Sequence, residues 1–172
     1  MKFIALLFFP VFSFGQMKAD QKISILDNKV EILVPKELSK MSDDAWKIKY
    51  HDFPKPKLAL ANENGEVSLL ADLTQQAAVD SQMAAYKDFR INNLKKAQPG
   101  IKILADGVKA VNGKYVGFVK FSSPATDQNI FNFFAFAVVR GKILSLSFNC
   151  TEKLQKTWEK VADEIVGSLK IK

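Results

Sequence analysis

The stretch that decides the fold is Phe131-Asn132-Phe133-Phe134-Ala135-Phe136-Ala137-Val138-Val139. Successive side chains of a β-strand point to opposite faces of a sheet, and here both the odd and the even positions are almost entirely apolar. Only a strand that is covered on both faces buries such a sequence. The stretch therefore predicts a central sheet with a packed layer on each side.

Further strand-like segments surround this one. Residues 101–111, 114–122, 130–139 and 142–149 are joined by turn sequences such as Asn112-Gly113, so an antiparallel meander is the economical topology. In the last segment the even positions are apolar, whereas the odd positions are serine or asparagine. We expect that strand to have one core face and one face that is polar or thinly covered, and to lie nearer an edge of the sheet.

Two more hairpins are predicted before the meander. Residues 23–26 and 30–34 flank an Asp-Asn-Lys turn, and residues 58–61 and 66–73 flank a turn that contains Asn64-Gly65.

Three helices complete the prediction. Ser42 is placed to cap a short first helix, apolar residues at helical spacing predict a second over residues 79–97, and Thr151-Glu152 is placed to cap the last. The apolar stripe of the last helix is Leu154, Trp158, Val161, Ile165 and Leu169. Together these elements predict an α+β fold, a three-layer α/β/α sandwich with a largely antiparallel sheet.

Residues 1–15 have the features of a secretory signal peptide. Lys2 is followed by an apolar run of about a dozen residues, and small residues precede a cut between Gly15 and Gln16. That run is shorter than the ~20 residues that a membrane-spanning helix needs, so no transmembrane span is expected. We expect a periplasmic or secreted protein, cleaved near Gly15/Gln16, with a single domain over residues 16–172.

The composition excludes several classes of protein. Of the 172 residues 48% are hydrophobic and 25% charged, which is typical of a globular domain. Cys150 is the only cysteine and His51 the only histidine, so no intramolecular disulfide or cysteine-rich metal site is expected. The net charge of +7 is spread along the chain, and no nucleic-acid motif accompanies it. Neither a nucleic-acid partner nor a metal or cofactor is therefore expected.

The order of these elements resembles the Mog1/PsbP-like family, which includes bacterial envelope proteins of the DcrB type. The likeness rests on residues 30–35, 115–121, 131–139 and 144–148, and on the ending with Cys150, Trp158, Ile165 and Ser168-Leu169-Lys170. These are packing positions rather than chemistry. Known members act chiefly as non-catalytic binding or assembly factors, such as extrinsic subunits of photosystem II and a regulator of a nuclear GTPase. The resemblance implies a similar class of role, but no site residue.

No nucleophile, phosphate-binding or dinucleotide motif is present, so catalysis is not expected. The leading hypothesis is an exported, non-catalytic binding or assembly module for a protein or envelope component. The alternative is a carrier of a small apolar ligand in a pocket beside residues 131–136, and a hydrolase that uses His51 is the third.

Two sets of candidate site residues follow from these hypotheses. The apolar pocket candidates are Phe131, Phe133, Phe134, Phe136 and Trp158. The surface candidates are Lys47, Lys49, His51, Lys55 and Lys57.

Overall fold

The computed structural model describes residues 20–172, so the expected signal peptide lies outside the described residues. The strands are β1 Asp20–Ile25, β2 Val30–Pro35, β3 Ser39–Lys40, β4 Leu58–Ala61, β5 Val67–Ala77, β6 Lys102–Val111, β7 Lys114–Pro124, β8 Asn129–Val139, β9 Lys142–Thr151 and β10 Lys170–Ile171. The α-helices are α1 Asp43–Tyr50, α2 Met83–Ala97 and α3 Glu152–Gly167, and a 3₁₀ turn over Asp80–Gln82 precedes α2.

Seven strands form the main sheet in the order β3-β4-β5-β9-β8-β7-β6, with every neighbouring pair antiparallel. The predicted meander of β6 to β9 is confirmed. The prediction that β9 lies nearer an edge is wrong, because β5 pairs along β9 from Val67 opposite Cys150 to Leu73 opposite Leu144. This pairing makes β9 the middle strand of the seven.

Each face of the main sheet is covered, as residues 131–139 predict. On one face Phe131 and Phe133 are packed with Ile165 of α3 and with residues of β1 and β2. On the other face Phe134 and Phe136 are packed with α2. The expected fold class, an α+β three-layer sandwich with a largely antiparallel sheet, is confirmed.

The N-terminal hairpin is confirmed as well, but it belongs to a second sheet. The order of that sheet is β1-β2-β10, so the C-terminal strand closes against β2. The turn of the hairpin holds Leu26, Asp27 and Asn28 at φ between 54° and 62°. Asn and Asp tolerate this left-handed region better than other non-glycine residues do.

Both long helices depart from prediction at their N-termini. Val79 lies in extended backbone and is exposed, so the second helix begins later than expected, after the 3₁₀ turn. Thr151 stands at the N-cap position of α3, but its side chain forms no capping hydrogen bond. The backbone there still belongs to β9, whose ladder continues through Thr151 opposite Ile130.

Gly117 of β7 determines how closely α2 approaches the sheet. A Cβ atom at this position would lie 3.2 Å from the carbonyl oxygen of Met83, the first residue of α2. Glycine therefore lets the helix pack directly on the backbone of β7.

Candidate functional site

The middle strand carries a polar stripe on the face that α1 and α2 share. Ser145, Ser147 and Asn149 of β9 point to this face and are only partly buried, whereas Leu144, Leu146 and Phe148 on the opposite face are buried. The stripe therefore forms the floor of a channel between α1 and α2, which we call the inter-helix groove.

Neighbouring strands show how the groove is bounded. Ser147 lies between Leu70 of β5 and Phe134 of β8 in the sheet register. Leu70 packs with Trp46 of α1, and Phe134 packs with the residues around α2. Helix α1 therefore lies on the β5 side of β9, and α2 lies on the side of β7 and β8. Between them Ser145, Ser147 and Asn149 are only partly covered, whereas Ile143 on the same face of β9 is buried.

The first wall of the groove is α1, which the sequence positions by local interactions. The Ser42 hydroxyl accepts a hydrogen bond from the Ala45 amide at 3.1 Å, so the predicted N-cap is confirmed. Trp46 is buried and stacks on Tyr50, with ring centroids 4.2 Å apart. The helix ends at His51, whose φ of 53° turns the chain away.

The segment after α1 extends this wall. The indole nitrogen of Trp46 donates a 2.8 Å hydrogen bond to the carbonyl oxygen of Phe53, which ties the loop to the helix. Pro54 and Pro56 follow, and their fixed φ angles stiffen the loop. The Phe53 side chain is left 72% exposed, although the backbone on which it stands is anchored.

Between this wall and the floor lies a cleft of about 280 Å³, called here the aromatic cleft. Its lining is Trp46, Tyr50, Phe53, Pro54, Pro56, Leu70, Ala71, Asp72, Ser145 and Ser147. Aromatic and proline side chains on one side and hydroxyls on the floor suit a partner with both apolar groups and hydrogen-bonding groups.

A second cleft, of about 460 Å³, continues the groove past Tyr50 and is called here the polar cleft. Its floor includes Asn149, and Asn132 and Ser68 stand on either side of Asn149 in the sheet register. The ammonium of Lys49 bonds to the Ser68 hydroxyl at 2.6 Å and to the Gly65 carbonyl oxygen at 2.7 Å. Burial lowers the pKa of Lys49, although the residue as a whole is exposed.

Three of the basic surface candidates are brought together. Lys47, His51 and Lys55 line one cleft of about 490 Å³ at the end of α1. Lys55 is tied at 2.6 Å to Asp43 of α1, which leaves its charge largely neutralised. Lys49 faces the polar cleft instead, and Lys57 is an exposed residue beside β4.

The apolar pocket candidates lie in two different layers. Phe131, Phe133 and Trp158 belong to the cluster under α3, whereas Phe134 and Phe136 belong to the cluster under α2. Phe136 is fully buried and meets Tyr86 edge-on at 5.1 Å, and Trp158 stacks on Phe148. The side chains therefore do not line one cavity together, and a ligand pocket among them stays a prediction.

Other chemistry is sparse in the described chain. Within residues 20–172, no group of three or more His, Cys, Asp and Glu side chains is placed to hold a metal ion. Cys150 is buried, as expected, and burial raises the pKa of its thiol to about 12. None of the helices in this part of the chain is long and apolar enough to cross a membrane.

Sequence reasoning detected the alternation of β9 but missed its meaning. The alternation predicts a polar or thinly covered face at Ser145 and Ser147, and both are partly buried, but it also favours a position near an edge of the sheet. The long-range pairing of β5 with β9 places them in the middle of the sheet. The signal in the sequence is that a strand with one polar face directly follows a strand that is apolar on both faces.

Comparisons with known proteins were made for the whole chain. No protein-family model matches it, and no curated protein sequence matches it either.

Solved structures with a similar fold do exist. The PsbP protein (CyanoP) of Synechocystis sp. PCC 6803 has a TM-score of 0.66 at 10% identity, over 93% of this chain and 96% of that one. LpqN, involved in cell envelope biogenesis of Mycobacterium tuberculosis, has a TM-score of 0.60 at 15% identity, over 89% and 90%. The type VI secretion immunity protein TplEi of Pseudomonas aeruginosa has a TM-score of 0.50 at 13% identity, over 83% and 68%. At these identities the likeness concerns the fold alone.

Proposed function

Because the chain has the Mog1/PsbP-like fold, we propose that it is an exported, non-catalytic binding module of the cell envelope. In this proposal a protein or another envelope component is held in the inter-helix groove. The fold by itself does not select a function, so the proposal rests on the site.

The polar stripe of β9 is the observation that carries the proposal. A strand in the middle of a covered sheet normally gains stability from apolar side chains on both faces. Ser145 and Ser147 forgo that gain at the point where α1 and α2 stand apart. Partly exposed hydroxyls in a concave channel are available to a ligand, which gives a reason for the arrangement.

The form of the groove favours binding over catalysis. The walls supply apolar contact and the floor supplies hydroxyl and amide groups. The serine that is hydrogen-bonded to a basic side chain, Ser68 with Lys49, is completely buried and so is not placed to attack a substrate. Cys150 is an inert thiol, because its raised pKa keeps it protonated near neutral pH.

The proposed compartment is the periplasm or the exterior of the cell. It rests on the signal-peptide features of residues 1–15, which imply a mature domain over residues 16–172. The similarity of the fold to LpqN, a protein of cell envelope biogenesis, supports an envelope role.

Site-specific photo-crosslinking in intact cells tests this function. A photoreactive phenylalanine analogue replaces Phe53 on the wall of the groove, or, as the control, Tyr115 of β7, which is 58% exposed. We expect a discrete crosslinked species from position 53 and not from position 115. A second substitution, Ser147→Arg, fills the floor and should abolish the species.

Two results would contradict the proposal. Equal crosslinking from positions 53 and 115 would show that the groove has no special role. Crosslinking from position 53 that persists in the Ser147→Arg variant would place the contact outside the groove.

A further inference from the structure

We propose that the polar cleft binds a carboxylate group of an acidic ligand, with the ammonium of Lys49 as the charged donor. This inference deepens the proposed binding function, since it names the chemistry that one end of the groove recognises.

The Lys49 ammonium has an unused hydrogen-bond donor. An ammonium group has three hydrogen-bond donors and no acceptor. Two donors of Lys49 reach neutral oxygens, the Gly65 carbonyl and the Ser68 hydroxyl, and no carboxylate of residues 20–172 lies within 4.0 Å of its nitrogen. One donor therefore remains for a group in the cleft that Lys49 borders.

The Lys49 ammonium is also partly desolvated. The Ser68 side chain against which the ammonium rests is completely buried, and partial burial lowers the pKa of Lys49. A cation that has lost hydration without gaining a counter-charge is stabilised when an anion arrives. Binding of a carboxylate would supply that charge.

The other side chains of the cleft are neutral or already neutralised. Asn149 and Asn132 stand opposite each other in the register. The Asn132 side-chain nitrogen already donates at 3.0 Å to the Ser123 hydroxyl and to the Ile130 carbonyl oxygen, so Asn149 presents the amide group that a ligand can use. Thr151 is about nine-tenths buried, and its hydroxyl has no hydrogen-bond partner within the described residues. The one carboxylate on the rim, Glu66, is paired with Lys153 and accepts a hydrogen bond from Asn64.

The charge balance favours a carboxylate over a phosphate. One lysine compensates one negative charge, whereas phosphate groups are usually held by several cationic or bidentate donors. Among the residues that line the cleft, Lys49 is the one with a cationic side chain. A single carboxylate surrounded by amides and hydroxyls fits this set of groups.

Nuclear magnetic resonance titration of the purified full chain with succinate tests the inference, with the neutral analogue succinamide and inorganic phosphate as comparison probes at constant ionic strength. We expect saturable shifts of the side-chain amide signals of Asn132 and Asn149 with succinate. The same signals should not move with succinamide, and phosphate should bind more weakly.

Variants connect the shifts to the proposed donor. Lys49→Gln should weaken succinate binding at least about tenfold, which corresponds to loss of one charge-assisted hydrogen bond. Lys49→Arg keeps the charge and should retain most of the binding. Lys47→Gln removes an exposed lysine of the same helix that does not line the polar cleft, so it should change binding less than about twofold.

Several outcomes would overturn the inference. These are equal shifts with succinamide, unchanged binding in Lys49→Gln, equal weakening in Lys47→Gln, or tighter binding of phosphate than of succinate. The crosslinking test at Phe53 needs no carboxylate. Failure of this inference and failure of the proposed function are therefore separate results.

Discussion

Replacing Ser147 with valine should stabilise the protein, since the serine costs stability where it stands. Its side chain lies between Leu70 and Phe134 on the middle strand and is only partly buried. Valine has a higher strand propensity, on a scale that spans about 1 kcal/mol, and each apolar cross-strand pair adds roughly 0.2–1 kcal/mol. Because part of the site stays open to water, we expect a net gain of about 0.5–1.5 kcal/mol in the free energy of unfolding.

Urea denaturation at pH 7 measures this gain, and Ser68→Val is the matched control. Ser68 is also on this face, but it is completely buried and its hydroxyl accepts a hydrogen bond from Lys49. The same substitution there should cost about 1–3 kcal/mol, because it leaves the ammonium with one partner fewer. A loss of stability in both variants would refute the reasoning, since it would mean that the Ser147 hydroxyl has a structural role.

Three further predictions concern other parts of the fold. Lys120→Met removes the ammonium that donates to Glu159 at 3.0 Å and to Asp163 at 2.7 Å. It should cost about 1–3 kcal/mol at pH 7, less than for a fully buried pair because both carboxylates are partly exposed. Burial by itself raises the pKa of Glu159, but the hydrogen bonds that its carboxylate accepts outweigh burial and hold the pKa below its ordinary value. The stabilisation is therefore present above the ordinary glutamate pKa and is lost at lower pH. In urea denaturation the difference in free energy of unfolding between variant and parent should shrink below about pH 4, and a constant difference would contradict the assignment. Gly117→Ala should cost about 1–3 kcal/mol in the free energy of unfolding, because the added carbon contacts α2. Gly167→Ala places its added carbon near no packed neighbour, so it should be neutral or stabilising by up to about 1 kcal/mol. Equal effects of the two substitutions in thermal denaturation would count against close packing at Gly117. Cys150 should react with a thiol reagent at pH 8 only after denaturation, and rapid labelling of the folded chain would show that the thiol is accessible.

Much of the fold was predictable because its signals are local. Residues 131–139 are apolar on both faces, and that pattern has one economical solution, a strand between two layers. The stripe of α3 is likewise periodic, and Ile165 from it is buried. Leu169, predicted on the same stripe, is buried too but lies beyond the end of α3 at Gly167, just before β10. The Ser42 cap depends on residues three apart in the chain, so its interaction is encoded within one turn.

The groove was not predictable because it depends on contacts between distant segments. Alternation along β9 shows that one face is polar, but it does not show whether that face meets bulk water or a channel between helices. The answer depends on the pairing of β5 with β9, across more than 70 residues of chain. The placement of Lys49 on Ser68 depends in the same way on how α1 lies over β5. Thr151 illustrates the opposite error, in which a local capping signal yields to the ladder of β9.

The walls of the groove differ in how firmly they are held. Helix α2 has 15 residues and packs directly on β7 at Gly117. Helix α1 has only eight residues, fewer than an isolated helix needs for stability in water, so its order depends on tertiary contacts. Those contacts are the burial of Trp46, its hydrogen bond to Phe53 and the stacking of Tyr50. They join α1 to the loop that carries Phe53, and the hydrogen bond from Lys49 to Ser68 ties α1 to β5. The position of this wall of the groove therefore depends on a few side-chain contacts, whereas the floor is held by β-ladders on both sides.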